Sequence, residues 1–384
     1  MADAKKPRRW KGRDLGMAAA PSVLSVLLSL LVCFLAIALT RADFQVAVDA
    51  YAQMLWGGVG DWPAFIERHG IGLLTRPWGE SAAKTSILLL TGLSVAVAFT
   101  VGLFNIGAQG QMQVGALAAA VLGAKLSLPS GVHPLVCILG AGIAGAMYGL
   151  LPAVLKLKRG VHEVISTIML NWVAVSLVEN WLVVGPLRAS TSGGSHSVAG
   201  TDQIAATAVL PRLLGEYSRL HAGFPLALLL AFGVWLWLSR TRYGFETRAI
   251  GLGGEAARTA GIPLAGRTYQ AMALSGALAG AAGSMLVLGT EYRLPPTLGA
   301  PYGFDGIAIS LIGQNHPLGV AVSAVVFGIL RAGGTRMQLL GVHKSFPELI
   351  QGLALLFVAG KLVWEAALAR LKPKPLPTVE APRA

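Results

Sequence analysis

The chain has 384 residues, 54% of them hydrophobic and 13% charged, with a formal net charge of +13. Soluble domains carry nearer ~25% charge, so a set of soluble domains is excluded and about ten apolar spans of ~20 residues fit the length better. The positive charge is not gathered on one face but sits at the ends of apolar runs, which points to anionic lipid headgroups and away from nucleic acid.

In chain order, residues 1–16 form a basic tail with Lys5, Lys6, Arg8, Arg9, Lys11 and Arg13. The first apolar run, 17–40, is longer than the ~7–15 apolar residues of a signal peptide, and is expected to be an uncleaved span. Residues 41–84 read as a polar loop, with Trp56, Trp62 and Trp78 at the membrane surface. Further spans are expected at 86–104, 110–127, 135–155, 163–184, 223–239, 268–289, 304–314, 317–333 and 348–368. The run 304–314 is too short to cross alone, so broken or re-entrant segments are expected near 105–113 and 295–314. Residues 17–368 thus form one all-α, polytopic transmembrane domain, and 369–384 a Pro-rich tail.

With the N-terminus inside and spans alternating, the inside segments hold 19 of the 31 basic residues and 7 of the 18 acidic ones. This bias places both termini and the loop 240–267 in the cytoplasm. The centre of that loop reads as a short helix, ended by Gly261 and Pro263. Glu255 and Arg258 suit its dipole, and Ala256, Ala257 and Ala260 offer a smooth surface for close packing. An ordinary solvated loop fits equally well on these residues alone.

No nucleotide-binding loop is present. Gly79-Glu80-Ser81-Ala82-Ala83-Lys84-Thr85 is the nearest approach, but Trp78 and Ala83 stand where the glycines are required. No zinc-ligand spacing or catalytic triad is apparent, so no catalytic residue, metal or cofactor is assigned to this chain. His69, His133, His196, His221, His316 and His343 lie near loops and are expected to be interfacial or solvated. Cys33 and Cys137 fall inside apolar runs and read as small apolar residues.

Polar residues at membrane depth form the candidate substrate path. Asn105, Gln109 and Gln111 lie in a break between two apolar runs, where amide side chains can satisfy freed backbone groups. Glu163, Thr167 and Asn171 recur every four residues and share one helix face. That stripe serves either a path or helix–helix hydrogen bonding. Asp305 is an acid at the start of a short span, with Arg293 or a backbone amide as its expected partner. Gly145 and Gly149, and Gly276, Gly280 and Gly283, are spaced for close helix packing. Breaks in both halves point to a central path and an internal repeat.

Phe104–Gln111, Glu163–Asn171, Thr241-Arg-Tyr-Gly-Phe245 with Glu255–Arg258 and Gly261-Ile262, Gly303–Ala308 and Asn315-His-Pro-Leu-Gly319 together resemble the permease subunits of bacterial ABC importers. The nucleoside and simple-sugar permeases, relatives of the ribose and branched-chain amino-acid permeases, are the most similar group, over roughly residues 85–365. The resemblance implies a bacterial inner-membrane permease working by alternating access. It also implies a cytoplasmic ATP-binding subunit, an extracytoplasmic substrate-binding protein and a second, different permease subunit as partners. Arg248, Glu255, Ala256, Ala257, Arg258 and Gly261 then become ATPase-coupling residues. The family commonly carries Glu at the position of Gln109, and Asn at those of His162 and Gly253. Gly253 should weaken the coupling helix by up to ~1 kcal/mol. A proton-coupled carrier using Asp305 or Glu163 is the alternative from a different class.

Overall fold

The computed structural model describes residues 12–41, 43–68, 70–189, 200–215, 217–298, 301–343 and 345–360. Most of the basic tail, the Pro-rich tail and the end of the last expected span lie outside them. Fourteen α-helices are described: α1 (Gly12–Arg41), α2 (Phe44–Val59), α3 (Trp62–Arg68), α4 (Gly72–Thr100), α5 (Ala108–Lys125), α6 (Val132–Arg159), α7 (Glu163–Leu177), α8 (Gly223–Arg240), α9 (Arg242–Leu252), α10 (Gly254–Thr259), α11 (Leu264–Leu286), α12 (Tyr302–Ile312), α13 (Pro317–Met337) and α14 (Phe346–Ala359). Each of the ten expected apolar runs corresponds to one of them. The chain is a multi-pass, all-α membrane protein.

Seven described helices are long and apolar enough to cross a membrane, and α12 and α14 are shorter apolar helices. The helix α5 is not among the seven. It carries Gln109, Gln111 and Gln113 in its first turns, all buried, because α6, α7 and α11 enclose it. A helix surrounded by protein does not need an apolar surface.

The stretch 41–84 differs from the expected loop. It forms α2 and α3, and α4 starts at Gly72, fourteen residues ahead of the expected span at 86. The polar residues that concealed this start have protein partners: Glu80 pairs with Lys84 at 3.1 Å and with Arg219 at 3.3 Å. Asp43 caps α2 by accepting from the Gln45 N–H.

The bundle is held by backbone-to-backbone approach. A Cβ added at Gly145, Gly276 or Gly280 would collide with the backbone of the facing helix, at the seam of α6 and α11. Gly115 and Gly283 do the same between α5 and α11. Small residues are what allow membrane helices to meet this closely. Cys33 and Cys137 are buried and free.

The helices α5 and α6 pack on α11, and in the same relation α12 and α13 pack on α4. The helices α4 and α11 run antiparallel. Thr100, at the end of α4, meets Gly251 of α9, and α11 begins just after α10. Two short sequence echoes accompany this packing. Gly107-Ala-Gln109-Gly110 matches Gly303-Phe-Asp305-Gly306, and His133-Pro-Leu135 matches His316-Pro-Leu318. The two breaks meet where Gly303 lies against the backbone of Ala108 and Gln109.

Candidate functional site

After α4 ends at Thr100, Gly102 adopts a φ of 82° and turns the chain back. Asn105 follows, 1% exposed. Its Nδ2 donates to Gln111 Oε1 at 3.0 Å and to Ser275 Oγ at 2.8 Å. Its Oδ1 accepts from the Gly107 N–H at 2.9 Å. Ser275 Oγ donates in turn to the Ser94 carbonyl at 2.7 Å. Asn171 completes the break from α7. Its Oδ1 accepts from the Gly110 N–H at 2.8 Å, and its Nδ2 donates to the Ile106 carbonyl at 2.6 Å. Thr167 packs beside Gly107, with its hydroxyl donating to the Glu163 carbonyl at 2.8 Å. Asn105, Gln111, Thr167 and Asn171 are therefore brought together, and the amides of Asn105 and Asn171 satisfy the backbone that the break frees.

Gln109 points elsewhere. Its Oε1 accepts from the Gly303 N–H at 2.7 Å and so caps the start of α12. Gly306 of α12 lies against Thr91, roughly 14 Å along α4 from Thr100 at 1.5 Å per residue. The short helix α12 thus begins at membrane depth, with Asp305 in its first turn. The partner of Asp305 is Arg331 of α13, and not Arg293 or a backbone amide as expected. Both side chains are 10% exposed. The Arg331 guanidinium also lies 4.7 Å from the centre of the Tyr302 ring and 3.6 Å from Glu348. A buried arginine in an otherwise apolar run is a signal that the sequence reading passed over. Glu163 is likewise paired, with Lys156 at 2.6 Å.

At the end of the bundle that carries α9 and α10, Thr241 caps α9 through the Gly244 N–H. Glu246, buried on α9, accepts from Arg242 at 2.7 Å and from Arg267 of α11 at 2.5 Å. The Arg242 hydrogen bond, joined by Arg267, holds the Glu246 carboxyl below the ordinary glutamate range. Arg267 stacks 4.2 Å from the Tyr243 ring centre. This clamp fastens α9 to the foot of α11, and Gly251 presses α9 against Thr100 and the break beyond it. Glu246 and Arg267 were missed because a charged residue in a loop reads as solvated.

The helix α10 stands outward from this clamp. Glu255 and Arg258 are 3.8 Å apart, with side chains 89% and 71% exposed. Such a pair contributes little to stability. Arg248, Ala256 and Gly261 are exposed too, but Ala257 is 5% exposed and faces its own chain. Ala257 therefore does not belong to the outer surface expected of it. Gly261 has a φ of 82°, which suits the end of the helix.

His133 and His221 are also corrected. Both are buried, at 0% and 1% exposure. His133 contacts Thr207 Oγ1 at 2.9 Å, and His221 Nδ1 accepts from the Gly223 N–H at 3.1 Å.

Residues 79–359 match the family described as branched-chain amino acid transport system, permease component. The chain belongs to this family. It is therefore a transport component and not an enzyme. It is 35% identical to the guanosine ABC transporter permease protein NupP of Bacillus subtilis, over 77% of this chain and 84% of that one. Against the glucose ABC transporter permease protein TsgB13 of Haloferax volcanii the identity is 32%, over 89% and 87%. Against the nucleoside ABC transporter permease protein NupB of Lactococcus lactis it is 30%, over 77% and 83%. No solved structure matches.

The three departures of this permease are conservative in place. His162 caps α7, with Nδ1 accepting from the Val164 N–H at 3.3 Å, so an acceptor is retained. Gln109 keeps an acceptor for Gly303 and drops a charge. Gly253 lies at the cap of α10 with an extended φ of −178°. Glycine at a cap costs only a few tenths of a kcal/mol, less than the ~1 kcal/mol expected of a position inside the helix.

Proposed function

We propose that this permease is the membrane-spanning subunit of an ATP-driven importer of nucleosides or simple sugars. The α10 end faces the cytoplasm, as do both termini, and the membrane is the bacterial inner membrane. An ATP-binding subunit docks on Arg248, Glu255, Ala256, Arg258 and Gly261. A substrate-binding protein delivers solute at the opposite face, and a second permease subunit completes the path. The exposed α10, carried on the Glu246–Arg267 clamp and pressed through Gly251 onto the break, is the observation that supports this reading. Movement of α9 and α10 would reach Asn105 and Gln111 through the contact of Gly251 with Thr100 and through Gly102. Nucleotide and binding protein supply the bias between inward- and outward-open states. The relatives' printed substrates support nucleosides or sugars as the cargo.

A proton-coupled carrier loses its two candidate residues, since Asp305 and Glu163 are both ion-paired. The test is gentle detergent extraction of the tagged chain, with Glu255→Lys and Arg258→Glu combined as the variant. An ATPase subunit should co-purify with the unaltered chain and be lost from the variant, with uptake lost at normal expression. Normal uptake by the double variant would refute the docking assignment.

A further inference from the structure

Within the spans, Glu80, Glu163, Asp305 and Glu348 each face a Lys or Arg. Glu179 has no such partner among the described residues, nor does Glu291, which is exposed at the end of its span. Glu179 sits, half-buried, on the π-helical turn Val178–Leu182 that ends α7. Such turns recur at functional sites. Glu179 Oε1 accepts from Gln113 Nε2 at 2.6 Å and from the Leu298 N–H at 3.3 Å. Gln113, on the enclosed helix α5, is 1% exposed, and its Oε1 has no hydrogen-bond partner among the described residues. An amide oxygen buried without a donor is costly, and an intramembrane carboxylate without a cation more so. A buried amide oxygen without a donor therefore stands beside a carboxylate that has two N–H donors but no cation among the described residues. The segment beyond the π-helical turn Val287–Glu291 reaches Glu179 through the Leu298 N–H.

We infer that Gln113 and Glu179 form a recognition point for a neutral solute with adjacent N–H or O–H donors. A purine amide-and-amine edge and a pair of sugar hydroxyls both present that chemistry. The Glu179 charge repels phosphorylated forms of the same solutes. The inference rests on the proposed nucleoside or sugar cargo and assigns residues to it. A site built to accept from a substrate donor discriminates strongly against an analogue that lacks the donor.

The experiment is ATP-dependent uptake by vesicles carrying the complete importer, with guanosine, 2′-deoxyguanosine, inosine, glucose and guanosine monophosphate as probes. Glu179→Gln is the variant, and Gln113→Leu supports it. The binding protein is common to all variants, so its own preferences cancel when uptake ratios are compared between them. Glu179→Gln should lower guanosine uptake about tenfold, the scale of a hydrogen bond to a charged group. It should shift the ratio of guanosine to 2′-deoxyguanosine, if a ribose hydroxyl is the donor, or of guanosine to inosine, if the base edge is. Guanosine monophosphate should compete poorly with the unaltered chain and better with the variant. Glutamine still accepts from the Leu298 N–H, so a merely structural role leaves every ratio unmoved. Unmoved ratios, or monophosphate competing as well as guanosine, overturn the site and leave the cargo reading standing. An unaltered importer that takes up neither guanosine, inosine, 2′-deoxyguanosine nor glucose overturns both.

Discussion

Gly251 of α9 touches the backbone of Thr100 at the end of α4, so closely that a Cβ at Gly251 would overlap the Thr100 carbonyl oxygen. Gly251→Val must push α9 away from the break. Overpacking of this kind costs about 1–3 kcal/mol, and here the strain falls on the joint between α10 and the membrane. Uptake should fall sharply while insertion and expression stay normal. Retained uptake would show that α9 does not transmit through this contact.

The clamp beneath it makes a separate prediction. Glu246→Gln keeps an acceptor but removes the charge that both Arg242 and Arg267 approach. ATP turnover by the assembled importer should persist while uptake drops, because the docking helix remains and its anchorage is loosened. Equal losses of ATP turnover and uptake would place Glu246 in docking instead.

Asp305 and Arg331 are both enclosed. Removing one member of a buried ion pair costs about 3–5 kcal/mol, because the other charge is left uncompensated. Asp305→Asn and Arg331→Met should each lower the melting temperature in detergent. The double variant should melt above the Arg331→Met single variant. A double variant no better than the singles would mean that Glu348, and not Asp305, is the main partner of Arg331.

Asn171 and Glu179 lie on the same helix and should fail differently. Asn171→Leu strands the Gly110 N–H and the Ile106 carbonyl, at about 1–3 kcal/mol each. Its deficit should appear as a lower folded yield. Glu179→Gln should fold normally and show its effect in substrate preference. Normal yield of Asn171→Leu with altered preference would return Asn171 to the path.

His221 predicts a pH dependence. Burial lowers its pKa from 6.5 to about 4. Above pH 6.5 it is neutral in both folded and unfolded chains, and the fold is not penalised. Between 6.5 and 4 the unfolded chain takes up a proton that the folded chain refuses, so stability declines as pH falls through that window. The decline approaches roughly 3 kcal/mol at 1.36 kcal/mol per unit. Thermal melts from pH 8 to pH 4 should show it, and His221→Gln should flatten it. An unchanged slope in the variant would assign the decline to carboxylates.

Most of the helical framework is legible in the sequence because lipid-facing helices such as α1, α7 and α8 must be apolar along a whole side. What is lost is where protein replaces lipid. The start of α4 looks like a loop because Glu80 finds its second partner, Arg219, more than a hundred residues away. Arg331 and Glu246 look unremarkable because their meaning lies in Asp305 and Arg267, each on another helix. The break at Asn105 is visible as a cluster of amides able to satisfy freed backbone groups, but not that Asn171 of α7 reaches across to the Gly110 N–H and the Ile106 carbonyl. The four-residue spacing left Asn171 open between a path and helix–helix hydrogen bonding, and its two bonds to the backbone of the break lie beyond what spacing can show.

The glycine seam between α6 and α11 supplies a natural ruler. Backbone set against backbone has no side chain to repack, so the two helices should keep a fixed separation while the subunit changes state. Spin labels on solvent-accessible ends of α6 and α11 would then report a constant distance through the cycle. Labels on α10 and on the far end of α8 could be read against that invariant pair, and whatever changes between them would be the transport motion itself.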